Sequence, residues 1–194
     1  QISIMPILQY RNGEGRRYGY RHFEKDAASI VGTIVNIAGM NKTELMRRAI
    51  ELSIESVKDG GGPFGAVIAR NGEIVAEASN SVTIDNDPTA HAEVNAIRLA
   101  TKKLGSFDLS GCEIFTSCEP CPMCLGAIYW AHIDRIYYAN NRNDAAEIGF
   151  DDDFIYQEIA LPLNERKKPI EPFMRDEALK AFNAWREKSD KTIY

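Results

Sequence analysis

At 194 residues the chain has room for one domain, or one domain with an extension, and its 44% hydrophobic and 26% charged residues are the balance of an ordinary globular protein. No apolar run approaches the roughly 20 residues that span a bilayer; the nearest, residues 29–39 (SIVGTIVNIAG), is short and holds Thr33 and Asn36. The net charge of −5 is uneven: residues 1–39 carry five Lys/Arg against three acids, leaving 18 basic and 25 acidic residues in 40–194, so the body lacks the basic surplus of a phosphate-backbone binder.

Residues 10–21 (YRNGEGRRYGYR) show neither helical nor strand period, and the character changes at Met40. Residues 1–39 are read as an N-terminal extension, tail or upstream sequence, and 40–194 as the folded domain. Asn41 followed by Glu44 is a capping box, and Leu45, Ala49, Leu52 and Ser56 make a helical stripe over about 43–58. After Gly60-Gly61-Gly62-Pro63 a strand is predicted over 64–70. Asn71-Gly72 turns it, and a partner strand follows over 73–79. A polar loop (80–89) leads to a helix starting near Ala90 or His91 and ending by Gly105. Residues 112–117 read as a buried strand, 121–131 as a helix and 135–139 as a strand. Residues 140–153 read as mostly loop with a short helix around Ala145, and about 175–188 as a last helix bearing Leu179, Phe182 and Trp185. Alternating helices and strands predict an α/β domain, a mixed sheet with helices packed on it.

Three of the four cysteines, Cys118, Cys121 and Cys124, fall within seven residues; Cys112 stands apart on an apolar strand as a core residue. That layout suits thiolate ligands better than a disulfide framework and points to a reducing, cytoplasmic compartment. Cys121 and Cys124, three apart at a helix start, share a face, and the helix N-terminus favours their thiolates. His91 completes a three-ligand zinc site, one Zn2+ per chain, with a fourth position open for a water that becomes the nucleophile. The closed alternative, a structural zinc with Cys118 as fourth ligand in a non-catalytic interaction module, gives Glu93 nothing to do. His91 and Glu93 lie about 200° apart on a helix, so the helix must direct its N-terminal end into the site. Glu93 is then placed to take a proton from the hydroxide-forming water and return it to a ring nitrogen or a leaving amine. H-x-E with P-C-x-x-C is the arrangement of zinc deaminases of bases and nucleosides.

The strings GGPFGAVI, NDPTAHAEVNAIR, TSCEPCPMCLGAIYWA, DAAEIGFDDDFIY and FNAWREKSDKTIY give residues 40–194 a specific resemblance to the bacterial guanine deaminases. The two zinc strings are shared with tRNA adenosine deaminases and cytosine deaminases; GFDD and the aromatic tail single out the guanine enzymes. The resemblance implies a cytidine-deaminase-like three-layer α/β/α fold with a mixed central sheet of about five strands. It implies hydrolysis of guanine to xanthine and ammonia. It also implies a homodimer in which a C-terminal segment, about 172–194, crosses to complete the partner's active site. By motif, His91, Cys121 and Cys124 bind zinc and Glu93 shuttles the proton, with Asp152 as a second acidic group near the amine. Asn80, Phe64, Ala92, Phe150 and Tyr194 contact the substrate. The rival readings are a tRNA adenosine deaminase and a cytosine or aminotriazine deaminase on the same scaffold.

Overall fold

The computed structural model describes residues 39–193. Most of the extension, and Tyr194, lie outside them. Helix α1 (Lys42–Lys58) opens on the capping box expected: the Asn41 side chain accepts from the amides of Thr43 and Glu44, and Glu44 accepts from the Asn41 amide. The four stripe residues Leu45, Ala49, Leu52 and Ser56 are its buried positions. Strands β1 (Gly65–Arg70) and β2 (Glu73–Ser79) form a hairpin. Its two-residue turn has φ 53° at Asn71 and 81° at Gly72, the positive pair that Asn-Gly adopts most readily. One turn, α2 (Val82–Asp85), interrupts the predicted polar loop. Helix α3 (Ala92–Leu104), capped by left-handed Gly105, is followed by β3 (Glu113–Cys118), α4 (Pro122–Trp130) and β4 (Arg135–Asn140).

Among the described residues the sheet has four strands, in the order β2-β1-β3-β4. The expected count was about five. A second capping box, Asn141 with Asp144, starts helix α5 (Arg142–Glu147) directly after β4, so the chain leaves the sheet as helix. β1 is antiparallel to both neighbours and β3 is parallel to β4, which makes the sheet mixed as predicted. Alternation along β1 divides the core. Ala66 and Ile68 face α3 and α4 together with Ile114, Ala96 and Ile128. Val67 and Ala69 face α1 together with Phe115, Leu45 and Ala49. The result is the three-layer α/β/α sandwich. A Cβ at Gly65 would collide with the Ala49 carbonyl, so this glycine lets α1 lie directly on β1.

The sequence reading left the chain between 154 and 174 unassigned. It holds helix α6 (Asp153–Ala160) and a 3-10 turn, Leu163–Glu165. The last helix, α7 (Arg175–Glu187), lies within a residue of its predicted span, and neither α6 nor α7 has a buried residue.

Candidate active site

Because β1 runs against β2 and β3, the start of β1 and the ends of β2 and β3 meet at one edge of the sheet. Phe64, Asn80 and Cys118 therefore come together, and α3 and α4 both begin there. His91 is the N-cap of α3 and Cys121 the N-cap of α4, each with extended backbone, and Pro122 occupies the first turn of α4. The α3 N-terminus is thus directed into the site, as the His91–Glu93 spacing requires.

The Nδ1 of His91 lies 3.6 Å from Cys121 Sγ and 3.5 Å from Cys124 Sγ. A tetrahedral zinc with ordinary bond lengths has an N···S edge of about 3.5 Å, so the three side chains are spaced to hold one. Their donor atoms all lie within 4.8 Å of one another, and Cys118 is not among them. Its thiol turns toward the Asn141 carbonyl at 3.8 Å and is pushed up to about 11, first by burial. The closed four-ligand reading thereby loses its fourth donor. The two ligand sulfurs compete for charge. Cys121 is drawn down to about 4, chiefly by the hydrogen bond from Cys124, while that bond and burial push Cys124 up. A divalent cation lets both ionise, which is what this donor set is built for.

Glu93 is 8% exposed, with its Oε2 accepting from Cys124 Sγ at 3.4 Å. Burial, first, raises its carboxyl above the usual range, and the Cys121 charge adds to this. A cavity of about 650 Å³ opens over these groups, lined by Phe64, Asn80, His91, Glu93, Cys121, Phe150 and Asp152 among others. Phe64 and Phe150 meet edge to face, centroids 4.9 Å apart. Asn80 is 6% exposed; its Oδ1 accepts the Val82 amide at 3.2 Å, which leaves the Nδ2 donor for a ligand. Asp151 and Asp152 both line the cavity, whereas Asp153 lies in α6 and bonds Gln157. Asp152 is the half-buried one, its carboxyl raised by burial first and then by Cys121.

Ala92 stands apart from this group. Its side chain is 1% exposed and packs in the core between α3 and the sheet, so any contact with a base comes from its backbone amide. Tyr194 lies outside the described residues. The sequence reading missed the lining residues Val57, Thr83, Glu119, Arg142 and Ile148. Glu119 and Ile148 stand within the quoted strings but carried no assigned role, and Val57, Thr83 and Arg142 belong to no motif; the fold brings all five to the cavity.

Residues 40–140 match the cytidine and deoxycytidylate deaminase zinc-binding region, and the chain belongs to that family of zinc-binding deaminases. Over 156 residues it is 54% identical to the guanine deaminase of Bacillus subtilis (strain 168), spanning 80% of this chain and 100% of that protein. The X-ray structure of guanine deaminase from Bacillus subtilis superimposes with a TM-score of 0.77, covering 80% of this chain and 99% of that one. A tRNA-specific adenosine deaminase of Aquifex aeolicus (strain VF5) is 37% identical over 100 residues, 52% of this chain and 66% of its own length. Among the described residues no helix is long and apolar enough to cross a membrane.

Proposed function

We propose that this chain hydrolyses guanine to xanthine and ammonia. One observation carries the reading: a buried carboxylate, Glu93, stands beside a three-donor metal group at the floor of a cavity whose wall offers the amide of Asn80 and two aromatic edges. His91, Cys121 and Cys124 hold the zinc. Zinc supplies a Lewis-acid position that makes water nucleophilic near neutral pH. Glu93 accepts the proton of the attacking water and passes it to the base. The second water proton goes to the amine, the C2–N bond breaks, ammonia leaves, and the water oxygen becomes the new carbonyl. A carboxyl raised by burial suits both halves of that transfer. The Nδ2 of Asn80 donates to an acceptor on the purine, Phe64 and Phe150 pack on the ring, and Asp152 receives the departing amine. The body's 25 acids against 18 bases suit a neutral base better than a nucleic acid.

The catalytic domain is residues 40–194, with 1–39 an extension outside it. The assembly is a homodimer whose C-terminal segment, about 172–194, closes the partner's cavity and brings Tyr194 to it. Two observations support this. Phe173, Phe182 and Trp185 are 87%, 71% and 43% exposed, large apolar side chains left open to a partner. A cavity of about 650 Å³ is also roomy for one nucleobase, since drug-sized ligands fill roughly 300–1,000 Å³. Four free cysteines suit a reducing, cytoplasmic setting.

Ammonia release from guanine, adenine, cytosine, their nucleosides and a tRNA anticodon stem tests the substrate. Guanine should be turned over at least about a hundredfold more efficiently than any other member, a gap of roughly 2.7 kcal/mol in transition-state binding. Turnover of the tRNA stem without turnover of guanine overturns the reading.

A further inference from the structure

Cys121 reaches the metal group from a two-residue linker, Glu119-Pro120, between the end of β3 and the start of α4. What fixes that linker comes from later in the chain. The Glu119 amide donates to the Asn140 carbonyl at 2.8 Å, and Glu119 Oε2 accepts the Arg142 amide at 3.2 Å. The buried Pro120 carbonyl, one peptide before the ligand, accepts the hydroxyl of Tyr156 at 3.1 Å. Tyr156 sits in the first turns of α6, four residues after Asp152, the N-cap of that helix. The Arg142 guanidinium lies 5.0 Å over the Tyr156 ring and holds it against the body.

Helix α6 has no buried residue to anchor it. Among the described residues, the other side-chain bonds on α6 stay within residues 151–167, as between Gln157 and Asp153. The Tyr156 hydroxyl alone reaches the linker.

We propose that Tyr156 is a positioning residue, whose hydroxyl fixes the Cys121 turn and the Asp152 end of α6 relative to one another. Loss of that bond frees the Pro120 carbonyl, so Cys121 holds its metal less firmly while the Asp152 side of the cavity drifts. The inference rests on reading Cys121 as a zinc ligand and is independent of which base is turned over.

Tyr156→Phe keeps the ring and its contact with Arg142 and removes only the hydroxyl. Zinc-loaded protein is mixed with an excess of a chromophoric chelator, without substrate and well below the melting temperature. Partners that orient metal ligands are worth roughly 10–100-fold in metal affinity or activity; a carbonyl one peptide removed should give about tenfold faster zinc release. Gln157→Ala breaks a bond on the same helix that does not reach the linker, and should release zinc at the parent rate. Parent-like release from Tyr156→Phe overturns the proposal. So does equal acceleration in Gln157→Ala, which assigns the effect to a loosened helix rather than to the hydroxyl. Because no base is present, failure here leaves the guanine assignment standing, and a failed guanine assay leaves this result intact.

Discussion

Glu93 follows His91 by two residues, a spacing that defeats a shared helical face, and the fold resolves it by making His91 a cap rather than a helical residue. The ligand extends from the non-helical position while Glu93 sits in the first turn, buried against Cys124. Glu93→Gln preserves shape and removes the carboxylate that accepts and returns the proton. Zinc content should stay at one ion per chain while the rate falls about 10²–10⁴-fold, read by metal analysis and ammonia release on one preparation. Near-parent turnover in zinc-replete protein excludes Glu93 as the proton carrier. The grouping of His91, Cys121, Cys124 and Glu93 was legible because the proposed chemistry requires particular residue types at short spacing. Asp152 was legible only as one of three adjacent acids, since its orientation depends on where α6 begins.

Helix α1 was legible in full, cap and stripe alike, because one face is buried on a sheet and the pattern records that burial. Its attachment has a polar component that the pattern does not record. Arg48 reaches across to β2, with Nη2 2.7 Å and Nε 3.0 Å from the two carboxylate oxygens of Glu77. The hydrogen bond from Arg48, first, holds the Glu77 carboxyl below the usual range against the opposing effect of burial. The folded pKa lies below the unfolded one, so the contribution is complete above the ordinary value of about 4.3 and is lost as pH falls through the lowered value. The pair is about a third exposed, which limits the coupling to about 0.5–1 kcal/mol. A urea double-mutant cycle of Arg48→Met and Glu77→Gln should give that coupling at pH 7 and a smaller one near about pH 3. A coupling that does not change with pH contradicts the assignment to Glu77. Helix α6 escaped the sequence reading because it is eight residues long, shorter than the window over which a helical period can be read.

At the scale of the molecule, residues 161–193 stand apart from the domain in burial. Nearly all are exposed, including Ile170, Phe173 and Phe182. The proposed swap sets these apolar side chains, carried on an otherwise charged segment, against the partner and places its last residues over the partner's cavity. Removing residues 191–194 should leave zinc binding unchanged and lower kcat/KM for guanine roughly tenfold or more through lost substrate positioning. Metal analysis and steady-state kinetics decide it; an unchanged kcat/KM removes the tail from the site.

The sequence by itself determined the metal-donor group and the two-sided sheet. His91, Glu93, Cys121 and Cys124 declare themselves because metal and proton chemistry tolerate few substitutes, and buried strands and helices must repeat with the period of their geometry. Tertiary structure alone decided what surrounds that group. It placed Cys118 toward a backbone carbonyl instead of the three-donor group, sank Ala92 into the core, and led the chain from β4 into a helix capped by Asn141. It also brought Arg142 and Tyr156 against the linker that carries Cys121. Those outcomes depend on contacts between residues far apart in the chain, and no local spacing encodes them.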